Sequence, residues 1–278
     1  MTMQDKNQFH YQGNQNIDGL MLLSASMSDF TYDKHAHEEY SFGVTLKGRQ
    51  DFFCRTQFHQ SPAGGVMVFN PEDVHDGQSG GTEDLEYVML YVHPDELVSH
   101  FQTLGVVNPN QARVKETLSS DPILRQQILT LSRWMSEDGV STVEYDAALL
   151  EVAHSIIRMS GQAPEIPVKN TRRETLLQRA KAFIHAHARE DISIDDISHA
   201  CSMSKYHLIR VFKAQYGMTP HQYVLNCRLN LARGFLESGK TATDIAQIAG
   251  FADSSHFNRR FKRVYGMTPA QYQKQRLS

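Results

Sequence analysis

The chain has 278 residues, 40% of them apolar, and a formal net charge of −3, so it is long enough for two domains with ordinary cores and too apolar for disorder. Its three cysteines, Cys54, Cys201 and Cys227, are too few and too scattered for a disulfide framework and read as reduced packing residues. No run approaches the ~18 consecutive apolar residues of a membrane helix, and the polar first six residues lead into no signal-like apolar stretch, which predicts a cytoplasmic protein with no membrane partner.

In chain order, short apolar runs at 20–24, 40–46, 50–58, 66–69 and 85–92 read as strands. Turn residues punctuate them at Asp29, Gly48, Gly64-Gly65 and Asn70-Pro71, which suggests a small barrel or sandwich. Within this region stand His35-Ala36-His37-Glu38-Glu39-Tyr40 and, later, Asn70-Pro71-Glu72-Asp73-Val74-His75. A His-x-His pair on a strand places both rings on one face, where a third histidine could complete a metal site or line a ligand pocket.

Three helical patterns follow, at 94–104, 121–137 and 142–160. Ile123, Leu124, Ile128, Leu131 and Met135 recur at helical spacing in the second, and Leu149, Leu150, Ala153, Ile156 and Ile157 in the third. Most of this surface is expected to cover the strands, with a residual stripe available to pair subunits. The stretch from Gly161 to Pro167 then reads as an interdomain linker. Beyond it the charge changes sign: residues 169–278 hold 18 Lys and Arg against 8 Asp and Glu, whereas the rest holds 10 against 23. Such asymmetry points to nucleic acid.

The basic part contains an internal repeat. Tyr216-Gly217-Met218-Thr219-Pro220 recurs as Tyr265-Gly266-Met267-Thr268-Pro269, 49 residues on. Phe212-Lys213 and Phe261-Lys262 precede the two joints; Gln222-Tyr223 and Gln271-Tyr272 follow them. Gly suits a left-handed helix C-cap, Thr an N-cap and Pro the first helical position, so each joint ends one helix and opens another. Upstream, Ser193-Ile194-Asp195-Asp196 and Thr241-Ala242-Thr243-Asp244 fit capping boxes. Each opens a short helix that breaks, at Ser202-Met203-Ser204 or Gly250-Phe251-Ala252, before a second helix. This is a helix-turn-helix, twice, with one extra residue in the second copy near Asp253. A solenoid needs three or more such repeats. The second helices carry Lys205, Tyr206, His207, Ile209 and Arg210 in one copy and Ser254, Ser255, Asn258, Arg259, Arg260 and Arg263 in the other, side chains of the kind that bond phosphates and base edges. Further helices are expected from about Glu174 to Glu190 and from Pro220 to Leu236, the latter joining the copies.

The double unit resembles the DNA-binding region of AraC/XylS-family transcription regulators. It carries that family's hydrophobic-Ala-x-x-x-Gly-Phe turn and Phe-Lys-x-x-x-Gly-x-x-Pro-x-x-Tyr run as Ile245-Ala246, Gly250-Phe251, Phe261-Lys262, Gly266, Pro269 and Tyr272. The first copy departs at Ser198 and Ser202, where the family usually has Ala and Gly. The histidine-containing runs, with Gly48 between them, resemble the cupin-type sensor domain common in these regulators. Where cupin enzymes place a glutamate ligand after the His pair, Ser41 and Phe42 stand, so no metal and no cofactor is expected, although Glu38 and Glu39 are alternative donors. The resemblance implies an α+β chain: a cupin-like β-barrel with accessory helices for effector binding and dimerisation (1–161), a linker (162–171) and an all-α double helix-turn-helix domain (172–278). It implies His35, His37, Tyr40 and His75 at the effector and no catalytic residues. Implied partners are a double-stranded DNA operator, a small-molecule effector, RNA polymerase for an activator, and a second copy of the chain. A cupin-fold metalloenzyme with a DNA-binding tail, and a constitutive DNA-binding protein using the barrel to oligomerise, remain open alternatives.

Overall fold

The computed structural model describes residues 6–13, 17, 19–137, 140–160 and 171–277. The chain divides into two compact units, Met1–Ala163 and Pro164–Ser278. Of the expected linker, 162–171, all but Thr171 lies outside the described residues.

The first unit contains strands β1 (Gln8–Gly13), β2 (Leu20–Met27), β3 (Thr31–His35), β4 (Tyr40–Lys47), β5 (Arg49–Cys54), β6 (Gln57–Pro62), β7 (Val66–Phe69), β8 (His75–Ser79), β9 (Leu85–Val92) and β10 (Leu118–Ser119), with helices α1 (Pro94–Thr103), α2 (Pro122–Trp134) and α3 (Thr142–Ser160). The strands form two antiparallel sheets, ordered β1-β2-β9-β4-β7-β10 and β3-β8-β5-β6, a cupin-like double sheet. The larger sheet is covered on both sides, so β4 and β9 are buried almost end to end. One face, with Tyr40, Phe42, Val44, Val88, Leu90 and Val92, packs with Leu97, Phe101, Leu124, Ile128, Leu149 and Ile156 of the helices. Truncating Leu90, which is fully buried there, removes a side chain of the kind whose loss costs ~2–5 kcal/mol. Pro94 and Pro122 open α1 and α2 at first-turn positions, and Asp121 caps α2 while pairing with Arg158 of α3 at 2.6 Å.

The strand predicted over 50–58 is two strands, β5 and β6. They are joined by Arg55 and Thr56, both at positive φ (49° and 68°), the backbone of a two-residue hairpin turn that Asn-Gly normally announces. Arg55 is held there by bonds to the Asp73 carboxylate and the Lys115 carbonyl. The apolar runs do not reveal β1, β3, β8 or β10, because Gln8–Gly13, Thr31–His35 and His75–Ser79 are largely polar and Leu118–Ser119 is only two residues long.

The second unit is helical among its described residues: α4 (Arg172–His187), α5 (Ile194–Ala200), α6 (Lys205–Tyr216), α7 (Pro220–Glu237), α8 (Ala242–Ile248), α9 (Ser254–Tyr265) and α10 (Pro269–Leu277). Capping boxes open α4, α5 and α7 through Thr171–Glu174, Ser193–Asp196 and Thr219–Gln222. Gly217 and Gly266 end α6 and α9 in the left-handed conformation, as the repeated joint predicts. α7 contacts α4, α6, α8, α9 and α10, so it is the spine that holds both copies.

Candidate nucleic-acid interface and ligand site

In each copy the turn is a Schellman cap: Met203 N–H donates to the Ser198 carbonyl and Phe251 N–H to the Ala246 carbonyl, the bond that closes a helix on a left-handed residue. That residue is Ser202 (φ 54°) in the first copy and Gly250 (φ 81°) in the second. The extra residue of the second copy lies within this turn, after Phe251 and before the N-cap Asp253, whose counterpart is Ser204. Both N-caps accept a backbone N–H, from His207 and His256 respectively, and so set where α6 and α9 begin.

Leu208, Val211 and Phe212 bury one side of α6, and Phe257, Phe261 and Val264 bury one side of α9. The opposite sides are exposed and occupy equivalent positions 49 residues apart: Tyr206, Ile209, Arg210 and Lys213 on α6, and Ser255, Asn258, Arg259 and Lys262 on α9. The spacing i, i+3, i+4, i+7 makes each set a single stripe. Tyr206 is 78% exposed and Ile209 40%, an apolar surface with no packing duty. Among the described residues neither Arg210 nor Arg259 is paired with a carboxylate. Lys205 is paired, with Asp195 of α5 at 2.5 Å, and Ser254 and His207 are half-buried. Arg260 and Arg263 are exposed beside the α9 stripe, Arg260 with its Nε 3.4 Å from His256 Nε2. His256 is held below the usual imidazole range by burial and then by the charges of Arg260 and Arg259, which marks a positive field over α9. Sequence reasoning passed over Lys213, Lys262 and His256; their helical spacing from Arg210, Arg259 and Arg260 is the signal that finds them.

In the first unit the structure brings His35, His37 and His75 together and leaves Tyr40 elsewhere. His35 and His75 are directly opposed in the β3–β8 ladder, so their side chains leave the same face. His37 follows two residues after His35, and ring centroids stand 4.4 Å apart for His35–His75, 4.8 Å for His35–His37 and 5.4 Å for His37–His75. The cluster lies between the sheets, since Phe69 of β7 stacks on His75 at 3.9 Å and Tyr91 of β9 meets His37 edge-on at 5.0 Å. Nearby, the Tyr32 and Tyr87 hydroxyls join the two sheets at 2.7 Å. Tyr40 points the other way, into the core beneath the helices, where its hydroxyl donates to the Ala112 carbonyl. Strand alternation explains the difference: Ser41, paired with Tyr91, shares the interior face and Tyr40 does not. Phe69, Tyr91, Tyr32 and Ser41 line the site and were missed, because strands buried on both sides carry no alternation of polarity to say which face is interior.

All three histidines are buried. Burial lowers His35, and lowers His75 further with help from the His35 charge, so both rings favour the neutral form. His35 Nδ1 bonds the Asp33 carbonyl at 2.7 Å and His75 Nδ1 the Asp73 carbonyl at 2.8 Å. A neutral ring that donates from Nδ1 presents its Nε2 lone pair. Asp73 is itself fixed: its carboxylate accepts from the Asn70 N–H and Nδ2 and from Arg55. An open groove lined by Ala63, Gly64, Lys115, Arg125 and Met159 is bordered by none of the three histidines.

Known proteins resemble both halves. The family model for an AraC-like ligand binding domain matches residues 19–154, and one for a helix-turn-helix domain matches 197–275. The uncharacterized HTH-type transcriptional regulator YbfI of Bacillus subtilis (strain 168) is 29% identical over 239 residues, covering 81% of each chain. The HTH-type transcriptional activator RhaS of Klebsiella pneumoniae (strain 342) is 27% identical over 250 residues, 86% of each. Among solved structures, unsaturated fatty acid bound wild-type ToxT from Vibrio cholerae aligns with a TM-score of 0.61 at 14% identity, covering 94% of this chain and 97% of that one, a likeness of fold.

Proposed function

The chain belongs to the AraC family, as a ligand-responsive, DNA-binding transcription regulator, and from that premise we propose how its residues divide the work. The exposed stripes of α6 and α9 enter successive major-groove segments of an operator. Arg210 and Arg259 read base edges, Tyr206 and Ile209 meet thymine methyls, Asn258 pairs with a base edge, and Lys213, Lys262, Arg260 and Arg263 hold phosphates. Lys205, tied to Asp195, contributes less. The observation that carries this reading is the equivalence of the stripes: the same four helical positions, 49 residues apart, are exposed in both copies while the equivalent Leu208 and Phe257, and Phe212 and Phe261, are buried. Equal positions with different side chains suit a protein that reads two different half-segments with one chain. α7, at 18 residues and ~27 Å long, is of the order of one DNA turn, ~34 Å.

The effector enters the interior between the sheets, against His35, His37 and His75. With Tyr40 in the core, Tyr91, Phe69 and Ser41 take its place in the site. We assign the chain no catalytic step, a second copy of itself and RNA polymerase as partners, and a place in the cytoplasm; that one relative is a transcriptional activator supports the polymerase contact. The test is footprinting on the promoter region nearest the gene. Two protected major-groove segments per subunit, about one turn apart, are expected. A single short segment, with α9 variants as active as wild type, would contradict the two-helix reading.

A further inference from the structure

We propose that His35, His37 and His75 bind a divalent transition-metal ion, each through one ring nitrogen, leaving a coordination position open toward the space between the sheets. The proposal rests on the assignment of these histidines to the ligand site and names the class of ligand they take. One ligand atom from each residue lies within 4.8 Å of the others, and all three rings are buried. Nitrogens at the ~2.0–2.1 Å Zn–N distance of a tetrahedral ion stand ~3.3 Å apart, so closing on an ion moves each ring by less than ~1 Å.

The surroundings are those of a ligand set. His35 and His75 each spend Nδ1 on a backbone carbonyl two residues earlier, at Asp33 and Asp73, which aims Nε2 away from the strand and fixes the tautomer. That is the outer-shell bond metal-ligating histidines make. Phe69, parallel to the His75 ring at an interplanar angle of 7°, restrains it further. The Asp73 carbonyl sits in a turn locked by Asn70 and Arg55, so His75 is placed as firmly as a strand residue needs to be. Cys54 is the β5 partner of His75, but its sulfur is not among the ligand atoms gathered at the cluster, so it lies outside the set. Glu38 is exposed, and among the described residues neither it nor Glu39 is within the histidine cluster. A set of three imidazoles with no carboxylate or thiolate selects the nitrogen-preferring ions, Zn2+, Ni2+, Co2+ or Fe2+, over Mg2+ or Ca2+. The absence of a glutamate at Ser41 or Phe42, which argued against a metal from sequence, therefore removes one ligand and not the site.

The experiment uses untagged, chelator-treated full-length protein titrated with Co2+, followed by visible absorption and calorimetry. The expected result is one Co2+ per chain with d–d bands of a four- or five-coordinate nitrogen site, displaced by Zn2+ and unaffected by Mg2+. His37→Gln and His75→Ala should weaken binding at least ~100-fold, beyond the 10- to 100-fold of an outer-shell change, while His10→Ala, on the exposed side of β1, leaves it intact. The wild-type titration needs no variant to fold: binding well below one ion per chain overturns the proposal. So does one ion per chain that survives both cluster substitutions. Operator affinity of the same samples, with and without Zn2+, is read separately, so a failed metal site leaves the DNA-reading assignments standing and a failed operator assay leaves the titration decisive.

Discussion

The two helix-turn-helix copies share a skeleton and differ where they meet other groups. Both turns close with the same Schellman bond, yet the left-handed residue is Ser202 in one and Gly250 in the other. A Cβ built on Gly250 lies 2.7 Å from the Arg189 carbonyl oxygen, backbone that the α4–α5 connection presents to it. Ser202 is exposed and tolerates its side chain. The second turn is thus pressed against neighbouring backbone, and the first is free to vary. The outward stripes differ in the same way. α6 shows an exposed Tyr and Ile beside one arginine, whereas α9 shows Ser, Asn and a run of arginines. One geometry carries two surfaces, an apolar one beside Arg210 and Lys213 on α6 and a densely cationic one on α9.

The comparison is broken most severely by giving the second turn a side chain. Gly250→Ala combines a left-handed L-residue, costing ~1–2 kcal/mol, with a backbone overlap, and should destabilise the second unit by ~3 kcal/mol or more, read as a lowered midpoint in urea unfolding. An unchanged midpoint would mean that the α4–α5 connection gives way. The reciprocal change sharpens it gently: Ser202→Gly relieves the φ of 54° and, after the entropy Gly adds to the unfolded chain, should stabilise by ~0.5 kcal/mol, detectable as a small rise in the same midpoint. A loss instead would show that the Ser202 side chain makes a contact worth more than its strain.

The helical half was the more legible from sequence because its signals are local. The paired Tyr-Gly-Met-Thr-Pro joints and the capping hydroxyls sit within a few residues of the bonds they make, and helix ends fall close to where they place them. α4 begins at Arg172 and not near Glu174, since Thr171 with Glu174 is itself a capping box. The strand half was legible in its apolar strands and opaque elsewhere. The β5–β6 turn uses Arg55-Thr56, held by tertiary bonds to Asp73 and Lys115 that no local pattern foretells. The resemblance groups Tyr40 with His35, His37 and His75, but the odd-even alternation of β4 sends it to the opposite face. Sheet register, which seats Ser41 beside Tyr91 and His35 beside His75, is a long-range fact.

The central claim, that two exposed stripes read operator sequence through Arg210 and Arg259, is tested most directly by the affinities of Arg210→Ala and Arg259→Ala for the footprinted operator and for random DNA at several salt concentrations. Each variant should lose ~1–3 kcal/mol on the operator, with a smaller loss on random DNA and relaxed discrimination at one base position. Equal losses on both DNAs, with the salt slope reduced by about one charge in each variant, would contradict base reading and reassign both arginines to phosphates.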